Sequence, residues 1–229
     1  TVSHLQLLAE EWLRQEETAE LIVPDFDDIS VEFDSIDGQV FSYGGESYAI
    51  PLLGAHQLRN AATVLEAIEV LRRQGWEIDH DAVESGLYSV AWPARFEVLH
   101  ADEPWFVLDG GHNPQCAAAL RECTEHYFPD CERVALAGVL KDKDYRSIVK
   151  TLAPLFSSVV CVTPDSERAL PAEELAGLFA AAGCETETAG SIEDGVELAQ
   201  DKAREKGAMV CAFGSLYICG DIRACFGLR

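Results

Sequence analysis

VLDGGHNPQCAAALREC, residues 107–123, is the stretch on which the reading of the fold turns. An apolar run ends at Asp109, a D-G-G-H-N-P turn follows, and an alanine-rich helix begins. Gly110 and Gly111 make the bend, Asn113 is placed to cap the helix, and Pro114 suits its first position. A buried strand giving way to a helix in this manner is the first half of a strand-helix-strand unit. The start of such a helix also offers unpaired N–H groups to an anion. The stretch therefore has two readings, a turn alone or a turn that also holds a ligand.

Working outward, the same alternation continues to the end of the chain. Short apolar strands are expected at 105–109, 133–139, 158–164 and 208–214, with helices at 114–127, 144–153, 171–182 and 192–206 and a last one around 216–224. Strands that are apolar throughout, separated by helices, are those of a parallel sheet covered on both faces. The fold class expected is α/β, with a Rossmann-like open parallel sheet in the carboxy-terminal domain.

The amino-terminal part reads differently. Leu5, Leu8, Trp12 and Leu13 give residues 3–15 a helical stripe, and LIVP, ISVEF, GQVFSY and ESYAI between Leu21 and Ile50 are strand-like, with Gly44 and Gly45 as a hairpin turn. A strong helix follows from about Leu58 to Gln74, closed by Gly75, and a short one over Asp79–Leu87. WPAR, residues 92–95, is the candidate hinge, which divides the chain into residues 1–94 and 95–229.

Composition narrows the partners. Among 229 residues, forty acidic and seventeen basic side chains leave a formal charge of −23. Such a field repels nucleic acid and anionic membranes, and no stretch interleaves basic with aromatic residues. No apolar run reaches the roughly 18 residues of a membrane span. The eight cysteines are scattered, without C-x-x-C or zinc spacing, and read as small hydrophobes in a reducing cytosol, so the expected location is cytoplasmic.

An open parallel sheet binds ligands beyond the carboxyl ends of its strands. That rule selects Asp109, His112 and Asn113 after one strand, Gly138, Lys141, Lys143 and Asp144 after the next, Thr163, Pro164 and Asp165 after a third, and Gly214 and Ser215 after a fourth. Asp109 could orient His112, accept from an ammonium group or bind a ribose hydroxyl, while His112 could donate near phosphate. Lys141 and Lys143 either meet an anion or form a solvated charge run with their neighbouring aspartates. Arg95 reaches phosphate or ties two domains together, Ser215 caps a helix or lines a ligand, and either His56 and Asn60, four apart, meet on one helix face or Gln57 and Asn60 simply cap or solvate the helix. Nothing reads as G-x-x-x-x-G-K-[ST], G-x-S-x-G or H-E-x-x-H, and the six histidines show no metal-ligand grouping.

Taken together, LLGAHQLRNAA ending at Ala62, WPAR at 92–95, LDGGHNP at 108–114, GVLKDKD at 138–144 and GSLY at 214–217 resemble, in order, folylpolyglutamate synthase and the bifunctional dihydrofolate synthase of the Mur ligase superfamily. The resemblance implies a partial Mur-ligase-type ATPase domain over residues 1–94, with an apolar face normally covered by sequence not present here, joined to a Rossmann-like domain over 95–229. It implies an ATP-dependent ligase that adds L-glutamate to dihydropteroate or tetrahydrofolate, a pterin or folate carboxylate being phosphorylated to an acyl phosphate that the glutamate amine attacks. Asn60 and Arg95 are then expected to contact ATP, Arg95 at its phosphates. Asp109 and His112 touch nucleotide or glutamate, and Lys143 and Ser215 line the substrate side. Asp109, His112 and Arg95 are the expected catalytic set. The phosphate loop and the Mg2+ ligands belong to a preceding domain of the same polypeptide, so the chain alone is expected to be inactive.

Two positions depart from the family pattern: Ala94 stands where glycine is usual and Gly111 where alanine is frequent. Arg95, Lys141 and Lys143 must also make a local exception to the acidic field. A peptidoglycan-type or cyanophycin-type ligase fragment, or a non-catalytic Rossmann-like binding protein, are the rival readings.

Overall fold

The computed structural model describes residues 21–102 and 104–228, and the helix expected over 3–15 lies outside them. The chain divides into two compact units. The first runs to Asp34 and takes in Gln39–Ile50 and Ala55–Ser89; the second comprises Ser35–Gly38, Pro51–Gly54 and everything from Val90.

In the first unit β1 (Ser30–Ser35), β2 (Gly38–Tyr43) and β3 (Glu46–Ile50) form a three-stranded sheet in that order. Pairing of Tyr43 with Glu46 leaves Gly44 and Gly45 as a two-residue hairpin, both with positive φ, the geometry that favours glycine in such turns. Helix α1 (Ala55–Arg73) begins directly after Gly54, three residues ahead of the expected start at Leu58, so His56 and Asn60 both lie within it. Its inward face holds Leu58, Ala61, Ala62 and Leu65. Asp79 caps α2 (His80–Tyr88), its carboxylate accepting from Ala82 N at 2.7 Å, and α2 packs on β3.

The second unit is a six-stranded sheet in the order β4-β5-β9-β6-β7-β8. Its strands are β4 (Glu97–His100), β5 (Phe106–Asp109), β6 (Glu132–Ala137), β7 (Ser158–Cys161), β8 (Glu185–Thr188) and β9 (Ala208–Phe213). Only the edge strand β4 runs antiparallel, to β5; the remaining pairs are parallel. The connecting helices are α3 (Pro114–Tyr127), α4 (Tyr145–Leu152), α5 (Ala172–Ala181), α6 (Ile192–Lys206) and α7 (Leu216–Cys225).

Alternate strand residues sort into two cores. Val107, Ala135, Val159 and Cys211 face α3, α4 and α5, whereas Leu108, Leu136, Val160 and Ala212 face α6 and α7. Because both faces are buried, the strands are apolar throughout, the pattern that marked them in the sequence. The observed architecture is the mixed α/β, largely parallel fold expected. Strands β6 and β7 stop at Ala137 and Cys161, short of the expected 139 and 164, although Val139 and Val162 just beyond them remain buried.

The topology also says where that site lies. From β5 the chain crosses by α3 to β6 and moves on to β7 and β8. It then returns by α6 to place β9 in the vacant slot between β5 and β6. The carboxyl ends of β5, β9 and β6 are thereby neighbours, and the turns after them are gathered at one edge of the sheet. Among the described residues no helix is long and apolar enough to cross a membrane.

Candidate active site

Asp109 ends β5 and bonds to backbone on both sides. Its Oδ2 accepts from Phe96 N at 2.9 Å and its Oδ1 from Gly111 N at 2.7 Å, so the carboxylate fastens the D-G-G-H-N-P turn to the W-P-A-R-F segment. Gly110 N donates to Ala94 O at 2.9 Å, a second tie between the same two segments. His112 Nδ1 lies 3.1 Å from Gly110 O, which leaves Nε2 as the ring atom turned to other partners. Asn113 caps α3, accepting from Cys116 N at 2.8 Å, and Pro114 is the first helical residue.

Arg95 stands between two residues of left-handed backbone, Ala94 at φ +56° and Phe96 at φ +45°. The positive φ at Ala94 gives a physical reason for the glycine usual at this place in the resembling motif. Arg95 Nη1 donates to Ala94 O at 3.0 Å and comes within 3.2 Å of where a Cβ on Gly110 would sit. Leu216 also reaches Gly110, so the turns after β5 and β9 meet there. Arg95, Asp109 and His112 are thus brought together around Gly110.

The remaining sequence candidates take up distinct places. Ser215 is buried and its Oγ accepts from Tyr217 N at 3.2 Å, capping α7. Asp144 caps α4 through Ser147 N at 3.2 Å, and Thr163 does the same for α5, accepting from Ala172 N at 3.0 Å. Lys143 stands in the loop between β6 and α4, its backbone N–H donating to Leu140 O at 3.2 Å. Lys141 Nζ is engaged by Glu167 O at 2.9 Å. Asn60, on α1 of the first unit, is exposed and donates from Nδ2 to Gln57 Oε1 at 3.0 Å.

Three residues of this region, Glu97, Arg168 and Arg223, were not singled out in the sequence. Glu97 on β4 accepts from Ala94 N at 2.8 Å and pairs with Arg223 on α7, while Arg168 bonds to Asp142 at 2.9 Å and to Tyr217 Oη at 3.3 Å. Arg168 and Arg223 are paired with the carboxylates of Asp142 and Glu97, whereas no carboxylate among the described residues pairs with Arg95, Lys141 or Lys143, and of these Arg95 and Lys141 donate to backbone carbonyls.

Thiol chemistry finds no support here. Burial, with the charge of Asp109 adding to it, pushes the Cys219 thiol up to about 12, and burial pushes Cys161 up to about 12 as well. Among the described residues no group of three or more His, Cys, Asp or Glu side chains could hold a metal ion.

Residues 94–216, from the left-handed turn to the start of α7, match the family model described as Mur ligase, glutamate ligase domain. The chain belongs to that family. Its Mur ligase relatives include the dihydrofolate synthase/folylpolyglutamate synthase of Mycobacterium tuberculosis, 32% identical over 84% of this chain and 44% of the relative. A probable bifunctional folylpolyglutamate synthase/dihydropteroate synthase of Haloferax volcanii is 36% identical over 76% of this chain and 20% of the relative. Among solved Mur ligase structures, that of Mycobacterium tuberculosis folylpolyglutamate synthase complexed with ADP and AMPPCP superposes with a TM-score of 0.83 at 30% identity. It covers 98% of this chain and 53% of that one. The folylpolyglutamate synthase of Thermotoga maritima, at 24% identity and a TM-score of 0.76, shares the fold. The chain therefore spans about half or less of these proteins.

Proposed function

We propose that this chain is part of an ATP-dependent amide ligase that joins L-glutamate to the carboxylate of dihydropteroate, tetrahydrofolate or both. The observation that carries the reading is the pair of turns locked together by Asp109, which presents Arg95 and His112 beside the start of α3 at the carboxyl edge of the sheet. The names of the Mur ligase relatives supply the substrate class.

In this reading Asn60 and Arg95 contact ATP, Arg95 at the phosphates, where a guanidinium without a carboxylate partner offsets the charge that grows as the phosphoryl group moves. A carboxylate oxygen of the pterin or folate attacks the terminal phosphorus and ADP leaves. The glutamate amine then attacks the acyl carbon and inorganic phosphate leaves, the amine having given up a proton. His112, with Nδ1 held by Gly110 O, presents Nε2 toward nucleotide or glutamate, and Asp109 fixes the turn from which it does so. Lys143 receives a substrate carboxylate, and Ser215 shapes the same side by holding the first turn of α7. The residues described here offer no set of magnesium ligands, so no step is assigned to that ion. Positioning and exclusion of water, rather than a covalent enzyme intermediate, carry the catalysis.

Residues 1–94 belong in this reading to an ATPase domain and 95–229 to the glutamate ligase domain, working in the cytoplasm. An ATP-dependent glutamate-ligation assay tests it. The chain alone should give no turnover. The longer polypeptide should, and Arg95→Ala there should lower kcat/KM by about 100-fold or more. Robust ligation by these residues alone, or an unaffected Arg95→Ala, would overturn the reading.

A further inference from the structure

We propose that Glu97 and Arg223 are positioning residues that latch the Ala94–Phe96 turn and so aim Arg95 at the nucleotide phosphates. The second half of that statement rests on the function proposed above. The first half stands on geometry alone.

Two of three successive residues, Ala94 and Phe96, occupy left-handed backbone without being glycine. L residues avoid that region, and such a conformation persists only where its surroundings over-determine it. For Phe96 the restraint is plain: its N–H goes to Asp109 Oδ2 at 2.9 Å, its side chain is buried, and its ring lies 5.6 Å from that of Tyr127. Ala94 is buried in the core that faces α6 and α7, and its backbone is held in addition by hydrogen bonds. Its carbonyl accepts from Gly110 N and Arg95 Nη1, and its N–H donates to Glu97 Oε2 at 2.8 Å.

Glu97 can hold that N–H only if its own carboxylate is fixed. The other oxygen, Oε1, is engaged by Arg223 Nη1, with the two side chains only 23% and 14% exposed. At that degree of burial a charge-assisted contact is strong, and water is a poor substitute for either partner. Arg223 is itself immobile at its root, since Ile218, Cys219 and Ile222 bury α7 against the sheet. The same helix is capped by Ser215 at its other end. The latch therefore connects the turn bearing Arg95 to the helix whose first turn forms the opposite wall of the candidate site.

An ordinary structural ion pair would join two side chains and stop there. Here one carboxylate divides its oxygens between a guanidinium and the backbone N–H of a strained residue adjoining Arg95. Loss of the latch should let Ala94 relax and swing the Arg95 backbone while leaving the sheet intact.

Two measurements test this. In this chain, amide exchange followed by NMR should show Ala94 N–H exchanging about tenfold faster or more in Glu97→Ala, with Phe96 N–H, held by Asp109, little changed. Arg223→Met should move Ala94 in the same direction and Arg223→Lys should largely restore it. In the longer polypeptide, Glu97→Ala and Arg223→Met should lower kcat/KM for ATP about fivefold or more, chiefly through kcat, with KM for glutamate within about twofold and Arg223→Lys largely restoring kcat.

Unchanged Ala94 exchange in these variants overturns the latch whatever the kinetics show. Faster exchange with an unaltered kcat/KM for ATP, in an enzyme where Arg95→Ala does lower it, overturns the claim that the latch aims Arg95. Faster exchange together with an inert Arg95→Ala supports the latch and defeats the functional reading instead. If Glu97→Ala does not fold, the Arg223→Met and Arg223→Lys pair carries the same comparison.

Discussion

Three glycines around the candidate site differ in what a methyl group would meet, and the difference ranks them. At Gly214, where φ is +116°, a Cβ would lie 2.7 Å from Gly138 O, and backbone cannot give way. Strain and overlap add, so Gly214→Ala should cost about 3 kcal/mol or more. At Gly111 the Cβ would fall 2.7 Å from Asp109 Oδ1 and 2.8 Å from Cys116 Cβ, so Gly111→Ala should cost about 1–3 kcal/mol and loosen the carboxylate that fastens the turn. At Gly110 the closest atom is Cδ2 of Leu216, the end of a half-exposed side chain that can rotate aside, and Gly110→Ala should cost least. Urea midpoints of the three variants check the order, and a Gly110→Ala more damaging than Gly214→Ala would sink it. Local features of this kind were legible in the sequence. The caps by Asn113 and Ser215 follow from residue type and a spacing of two or three positions. Glu97 and Arg223 were not legible, since nothing local links residues 126 positions apart.

At the scale of elements the helices and the apolar strands announce themselves, because burial on one face or two imposes a period on the sequence. Strand β8 does not. Its residues Glu185–Thr188 read ETET, without an apolar residue, and the sequence alone passes over them as a link between α5 and α6. They pair with β7 at the sheet edge, where charged side chains also discourage a further strand from adding. Charge from the helix that follows adds to this backbone pairing: Lys202 pairs with Glu187, and Lys206 with Glu185 at 3.0 Å. The hydrogen bond from Lys206, then the charges of Lys202 and Lys206, hold the Glu185 carboxyl below its ordinary value. A carboxyl held low in the folded state contributes its stabilisation in full above its unfolded pKa of about 4.3 and loses it as pH falls through the folded value. Acidification should therefore release β8 before the central strands, seen as early loss of amide protection at 185–188 while β9 stays protected. Lys206→Ala should raise the Glu185 pKa toward the unfolded value in a side-chain carboxyl NMR titration. An unchanged titration would show that the pair is not formed in solution.

For the whole molecule, the division into two units has an energetic consequence that the sequence boundary near residue 95 only outlines. Both hydrophobic cores of the second unit are built from its own residues, and all but Leu53 of their buried members lie beyond Val90. A polypeptide covering 90–229 should thus fold cooperatively by itself. It would lack Leu53 and the bond from Gly54 N to Tyr127 Oη at 3.0 Å, which belong to the segment Pro51–Gly54. Removing a buried leucine costs about 2–5 kcal/mol and an unsatisfied hydrogen bond about 1 kcal/mol more, so its thermal midpoint should drop by about 10–20 °C while its sheet persists. The first unit buries Phe41, Tyr48, Ile50, Val83 and Leu87, but other apolar side chains among its described residues stand exposed. Val31 and Phe33 on β1 are 52% and 56% exposed, and Val64 and Leu71 on α1 are 46% and 36% exposed. Residues 21–89 expressed alone should self-associate or fail to melt cooperatively, for the surface that ought to be covered is the surface a second copy will seek. Size-exclusion chromatography and thermal melts of the two polypeptides decide the matter. A monomeric, sharply melting 21–89 beside a molten 90–229 would reverse the assignment of which unit carries its own stability, and with it the case for treating the sheet bearing Asp109, His112 and Arg95 as the rigid platform of the site.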